Sequence, residues 1–205
     1  MARVIAYIDG FNLYYGLRAK YRRRYLWLDL EHLIQRLRRN DEIVAIKYFT
    51  ALVLDDDAAV LRQQNYLNAL KAHSGEKIDI VLGRYQRSEV ACPHCGHQRV
   101  KYEEKETDVN IAVSIVADTA AQASDIALIV SADSDLCPAI RMARSVGTRR
   151  GMIAVFPPAR SSFEIRSLIR GAFTLPLEHI RNSLLPDEVT DQAAGRTFKR
   201  PANWC

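Results

Sequence analysis

Long apolar runs are missing from this chain. No segment approaches the roughly 18 consecutive apolar residues of a membrane-spanning helix, and Met1-Ala2-Arg3 ahead of the apolar run Val4–Ile8 is too short to build a secretory signal. The expectation is a soluble, cytoplasmic protein. Cysteine is scarce: Cys92, Cys95, Cys137 and Cys205 are unevenly placed, and only the first two share a spacing that suggests joint chemistry. That argues against a secreted disulfide framework and for a reducing compartment. Internal repeats and low-complexity tracts are also lacking, which removes solenoid and fibrous architectures.

What is present suits one globular core. With 48% of its 205 residues hydrophobic, the chain is long enough to bury a sizeable interior. The formal charge of +5 and pI near 9.1 favour an anionic partner, although an arginine-rich composition gives the same balance without one.

Nearly continuous apolar runs at Val4–Ile8, Ile43–Leu54, Ile78–Leu82, Ile126–Ser131 and Met152–Phe156 read as strands whose two faces are both covered, the pattern of a parallel sheet between helices. Helical patterns lie between them at Asn12–Lys20, Leu30–Arg38, Asp56–His73, Thr107–Ala121, Leu136–Val146 and Phe163–Ile169. The expected architecture is a three-layer α/β/α fold. Two pieces break the rhythm. Residues 83–104 read as a hairpin inserted in a crossover, with a Cys-Pro-His-Cys-Gly-His turn at its tip, and residues 184–205 read as a flexible tail following a domain at 1–183.

In an open parallel sheet, ligands bind beyond the carboxyl ends of the strands, near the point where strand order reverses. Asp9 directly follows the first apolar run, and Asp133 and Asp135 follow the run ending at Ser131, so all three are expected at that edge. Asp108 opens a helix, with Thr107 as a candidate N-cap. Each carboxylate taken singly is equally well explained as a turn or cap residue. Taken together, they exceed what capping needs, and carboxylates crowded at one edge repel unless some protonate or a cation joins them. Oxygen ligands without nearby histidine favour magnesium or manganese over zinc. Such a centre suits phosphodiester hydrolysis, where the ion activates water and screens the phosphate, with one or two ions equally compatible.

Three segments carry a resemblance. Asp9-Gly10-Phe11-Asn12-Leu13-Tyr14, Glu104-Lys105-Glu106-Thr107-Asp108-Val109 and Ser131-Ala132-Asp133-Ser134-Asp135 resemble, in order, the signature motifs of the NYN domain family, a branch of the PIN-like nucleases. The likeness spans about residues 3 to 175. It implies an α/β/α nuclease domain acting on RNA, with Asp9, Asp108, Asp133 and Asp135 as ligands of magnesium or manganese and Asn12 and Ser131 as polar residues lining the site. Many members carry a small residue, often glycine, where Glu106 and Ala132 stand here, and some have no demonstrated activity.

Supporting residues have two readings each. Asn12 either holds water or phosphate at the site or caps a helix. Lys105 either meets the scissile phosphate or belongs to a solvated charged stretch. Phe11, Tyr14, Tyr15 and Leu17 follow at helical spacing, which argues for packing, with one tyrosine left to stack on a base. Arg18, Lys20, Arg22, Arg23 and Arg24, interleaved with Tyr21, Tyr25 and Trp27, form the densest basic and aromatic stretch, either a grip on a nucleic acid backbone or a solvated loop. A weaker cluster is Arg141, Arg144, Arg149 and Arg150. Cys92, Cys95 and His97, with His94 as a substitute, supply half to three quarters of a structural zinc site, completed only if Cys137, Cys205 or a second subunit contributes. Otherwise the cysteines pack or stay free.

The expected function is a metal-dependent endoribonuclease that prefers single strands. Neither Ser131 nor Ser134 has a histidine partner in sequence context, and Asp9-Gly10-Phe11-Asn12 lacks the second aspartate of an aspartyl-phosphate phosphatase. A non-catalytic RNA-binding or regulatory protein, and a metal-dependent phosphatase, are the alternatives. Oligomeric state is not legible.

Overall fold

The run Arg3–Asp9 forms strand β1, buried from Val4 onward. Its side chains alternate between two hydrophobic clusters: Val4, Ala6 and Ile8 enter one, Ile5 and Tyr7 the other. Because neither face meets water, the sequence reads as unbroken apolar character. The computed structural model describes residues 1–54, 56–91, 93–147 and 151–204, with side chains except at 88 and 99–101. Cys92, Arg149, Arg150 and Cys205 therefore lie outside the described residues.

After β1 come α1 (Gly10–Tyr21), α2 (Leu30–Leu37), β2 (Glu42–Thr50), α3 (Asp57–Ser74) and β3 (Ile78–Leu82). An antiparallel hairpin, β4 (Arg84–Ala91) and β5 (Gln98–Lys105), interrupts the crossover to α4 (Thr107–Ala120), as expected. The chain continues through β6 (Ile126–Val130), α5 (Cys137–Val146), β7 (Gly151–Phe156), α6 (Phe163–Leu168) and β8 (Gly171–Thr174). It ends with α7 (Leu177–Arg181), β9 (Glu188–Asp191) and β10 (Arg196–Lys199).

The central sheet has six strands in the order β3-β2-β1-β6-β7-β8, and every pairing in it is parallel. Helices α1, α2 and α3 pack one face through Leu13, Leu33 and Leu70. Helices α4, α5 and α6 pack the other through Ile111, Ile140 and Ile165. The result is the expected three-layer α/β/α arrangement. The chain winds outward from β1 through β2 to β3, then returns to the opposite side of β1 as β6, so strand order reverses between β1 and β6. Ile8 pairs with Val130 across that boundary, and the next residues in each strand, Asp9 and Ser131, leave the sheet side by side.

Three expectations need correction. The second strand stops at Thr50, short of Leu54. A sixth strand, β8, was not expected, because four residues with mostly exposed side chains carry too little pattern to register. Of the expected tail at 184–205, the described residues 184–204 are not loose. Trp27 is fully buried, its indole N–H donates to the Pro186 carbonyl at 2.7 Å, and Trp204 packs against both Trp27 and Tyr66 at centroid distances of 6.3 and 5.7 Å. The Asn65 amide donates to the Lys199 carbonyl at 2.7 Å, fixing the β9–β10 hairpin to α3. The segment looked disordered because its few buried groups, chiefly Val189 and Trp204, sit among polar residues that face water.

Because Trp204 is buried against Trp27 and Tyr66, Trp204→Ala should destabilise the protein by about 3 kcal/mol, the lower range for removing a buried large aromatic. Urea denaturation followed by far-UV circular dichroism checks this, and an unchanged midpoint would contradict the packing.

Candidate metal centre

Asp9 ends β1 and caps α1 in one stroke. The Asn12 backbone N–H donates to Asp9 Oδ1 at 2.9 Å, and the Ser131 hydroxyl donates to Asp9 Oδ2 at 2.8 Å. Only 3% of the residue remains exposed, which is unusual for a carboxylate and tolerable because both oxygens are bonded. Gly10 permits the turn: a Cβ there would lie 2.6 Å from the Phe49 carbonyl and 2.8 Å from the Tyr48 ring.

The knot extends to the third motif. Asn12 Oδ1 accepts from Ala132 N–H at 3.1 Å, Ser131 Oγ accepts from Asp133 N–H at 3.0 Å, and Asp133 Oδ1 accepts from Asp135 N–H at 2.9 Å. Asn12 is thus not the cap of α1. It clamps the loop after β6, and its Nδ2 has no partner among the described residues.

Asp108 arrives from the opposite side, in the first turn of α4. The expected cap, Thr107, is instead the first helical residue, and the cap position is Glu106, held in the left-handed region at φ 80°. A side chain rarely adopts that backbone region, and here Glu106 is held there while pairing with Arg84. Thr107 is fixed from behind by Glu104, whose carboxylate accepts from the Thr107 N–H at 3.0 Å and from its hydroxyl. Gly83 makes room, since a Cβ there would meet Thr107 Oγ1 at 2.6 Å.

Carboxylate oxygens of Asp9, Asp108 and Asp133 all lie within 4.8 Å of one another, the one group of three or more candidate ligands among the described residues. An octahedral ion with oxygens at 2.0–2.1 Å spans about 2.9–4.2 Å between ligand atoms, so modest side-chain rotation closes the set. The donors are all hard oxygens. Asp135, expected as a fourth ligand, is not part of the group: it sits exposed in the tight turn Ser134–Leu136. It acts on the site through its charge.

The electrostatics record the crowding. Asp108 is pushed up to about 6, first by loss of water, then by the charges of Asp133, Asp9, Glu104 and Asp135. Asp9 is raised mainly by burial and further by Asp133, while bonds from Asn12, Ser131 and Phe11 pull it down. A divalent cation would reverse both effects, which is the sense in which these residues fit one.

The remaining expected residues lie further out. Lys105 ends β5 and pairs with Glu103 at 3.1 Å. Arg22, Arg23 and Arg24 form the turn after α1, with Arg22 at φ 58° and Arg24 over the Tyr25 ring at 5.4 Å. Tyr25 and Trp27, read as part of a basic and aromatic surface, are core residues. Arg144 donates to the Leu168 carbonyl at 2.6 Å, at the end of α6. At the hairpin tip Cys95 is exposed, as are His94 and His97. Cys137 is buried among the core residues at the start of α5 and does not serve that tip.

Two residues beside the site escaped sequence reading. Glu104 was hidden within the alternating charges of 103–108, where nothing in the spacing separates it from Glu103. Tyr48 carried no sequence signal at all.

A family model described as the NYN domain matches residues 3–172. The chain belongs to the NYN domain family. That is a family of PIN-like nucleases, and the aspartate cluster of this NYN chain could hold a divalent metal. The chain is similar to 6-hydroxy-3-succinoylpyridine 3-monooxygenase from Pseudomonas putida, at 33% identity covering 70% of this chain and 56% of that protein. It thus spans little more than half of that relative's length. In fold it is similar to a crystal structure of a protein of unknown function from Vibrio parahaemolyticus, with TM-score 0.59 and 16% identity over 90% of this chain and 96% of that one. No helix among the described residues is long and apolar enough to cross a membrane.

Asp108 binds its proton more tightly in the folded chain than in the unfolded one, so the metal-free protein should lose stability as pH rises from 3.8 to about 6. Above that window the full repulsion is present and a cation relieves it. Magnesium should therefore raise the melting temperature more at about pH 7.5 than at about pH 5, where protons compete for the same oxygens. Scanning fluorimetry with and without the ion tests this, and equal shifts at both pH values would contradict a carboxylate site.

Proposed function

We propose that the protein is a metal-dependent endoribonuclease, with Asp9, Asp108 and Asp133 holding magnesium or manganese and Asp135 adding negative potential beside them. The observation that carries this reading is the convergence of three carboxylates, from three separate motifs, within 4.8 Å at the switch point of a parallel sheet. A divalent ion bound there would supply charge screening for a phosphodiester and activation of water.

The chain's own residues supply the rest. Asp9, fixed by two hydrogen bonds, presents its carboxylate without needing to reorganise. Ser131 orients Asp9 and the Asp133 backbone together. The free Asn12 amide is placed to donate to a phosphate oxygen, and Lys105 and the Arg22–Arg24 turn add positive charge for the backbone. RNA is the substrate the family favours, and a chain with net charge +5 suits an extended polyanion better than a small phosphoester.

Hydrolysis asks of the site only an ion and water. The oxygenation named for the Pseudomonas relative would also require dioxygen and a two-electron donor. It serves as a second arm of the assay, in which a pyridine acid is offered with NADH.

Labelled single-stranded RNA, duplex RNA and DNA incubated with magnesium, manganese or chelator should show cleavage of single-stranded RNA only with metal. Asp9→Asn and Asp133→Asn should reduce it to background with the fold retained, and Ser131→Ala should lower it about 10- to 100-fold as a supporting contact. Wild-type rates in both aspartate variants would refute the mechanism. Neutralising Arg22, Arg23 and Arg24 together should flatten the slope of log affinity against log salt by about 2, at roughly 0.7 per lost contact on a single strand. An unchanged slope would return that turn to the status of a solvated loop.

A further inference from the structure

Next to the carboxylates lies a cavity of about 290 Å³ that the metal chemistry does not use. Gly10, the residue after Asp9, is part of its wall, and the cavity runs between α1, the end of β2 and α3, with Tyr85 of the hairpin and Trp204 of the C-terminal segment completing the lining. Its size is at the small end of ligand pockets, which run from about 300 Å³ upward. That is room for one flat ring system and not for a folded chain.

Aromatic side chains form a large part of the lining. Tyr14, Tyr48, Tyr66, Tyr85 and Trp204 all contribute. Tyr66 is committed, donating its hydroxyl to the Leu28 carbonyl at 2.8 Å. Tyr48 is not. It is 7% exposed, its hydroxyl would sit 2.9 Å from a Cβ at Gly10, and it makes no hydrogen bond among the described residues. Burial together with the nearby Asp9 and Tyr14 keeps that hydroxyl protonated. An unbonded hydroxyl in a cavity wall is free to bond a ligand that enters. Arginines 18, 23 and 62 also line the cavity, against one acid, Asp56, which pairs with Arg62 at 3.8 Å. A planar ring carrying a negative group matches this combination of aromatic faces, one unbonded hydroxyl in the wall and a basic margin.

We infer that this cavity receives an unpaired nucleobase of the strand whose phosphate lies at Asp9, Asp108 and Asp133, with the Tyr48 hydroxyl bonding the base edge and Arg18 or Arg23 meeting the adjoining phosphate. The inference rests on the nuclease reading for its neighbour, and names the feature that selects single strands: a base held in a duplex cannot enter without unpairing. Stacking on aromatic faces tolerates any base, so the pocket selects for unpaired structure ahead of sequence.

The test separates the pocket from the chemistry. Binding of 5′-nucleoside monophosphates, ribose 5-phosphate and nicotinate to the full chain is measured by calorimetry in calcium. Cleavage in magnesium is measured on an RNA strand carrying one abasic site at successive positions. The variants are Tyr48→Phe, which deletes only the hydroxyl, and Ala59→Trp, which fills the cavity from α3, with circular dichroism reporting that each is folded. The expected result is one mononucleotide bound per chain, ribose 5-phosphate bound at least tenfold more weakly, affinity about tenfold lower in Tyr48→Phe, and binding lost in Ala59→Trp. One abasic position should slow cleavage more than the others. Mononucleotide binding that behaves this way while no strand is cleaved would uphold the pocket and sink the nuclease reading alone. Mononucleotide affinity unchanged in both variants, or equal for ribose 5-phosphate, would overturn the pocket. So would nicotinate binding more tightly than any mononucleotide, which would assign the cavity to a free heteroaromatic acid.

Discussion

A buried carboxylate at the switch point of the sheet is the constraint from which the rest of the site follows. Asp9 has lost nearly all its water, and an isolated charge in that position would cost several kcal/mol or be neutralised. It is retained because the polypeptide supplies donors from two directions, the first turn of α1 and the end of β6. Those bonds do double duty. They terminate the strand, start the helix and fix the spacing between two strand ends that become adjacent only because the chain returns to β1 from the far side.

Three aspartates of the same chemistry sit in different surroundings. Asp9 is buried but well bonded, so the pull of its donors opposes the push of desolvation. Asp108 lacks such donors, and loss of water first, then the charge of four neighbours, raises it to about 6. Asp133 is bonded through Ser131 and the turn that follows. The arrangement leaves unrelieved repulsion concentrated where a cation would sit, next to the free amide of Asn12. Preorganisation of this kind is compatible with a rigid scaffold because the ligands come from strand ends and a helix start, with only short connecting turns.

The far end of the chain belongs to the same construction. Trp204 contributes both to the aromatic cluster around Trp27 and Tyr66 and to the wall of the cavity beside Gly10. The last residues in sequence therefore help shape the space beside the first motif. A polar, alternating hairpin laid on α3 achieves this with few buried groups.

Much of this was legible in the residues. Covered parallel strands announce themselves as continuous apolar runs, and aspartates placed directly after such runs must emerge at one edge, so the sheet, its helices and the convergence of Asp9 with the Ser131–Asp135 segment followed from local pattern alone. The NYN resemblance rested on the same short motifs. What pattern left undecided was everything set by approach in three dimensions. Asp135 follows the strand as closely as Asp133 does, yet a single tight turn carries it outward. Tyr25 and Trp27 looked like a nucleic acid surface beside the arginines, and burial made them core. Glu104 and Tyr48 reach the site only because the hairpin and β2 end there, and the C-terminal segment is ordered only because Trp27 and Tyr66 offer Trp204 a place to pack. Periodicity records which face of an element is apolar, whereas the partners that face will meet depend on contacts between residues more than a hundred positions apart.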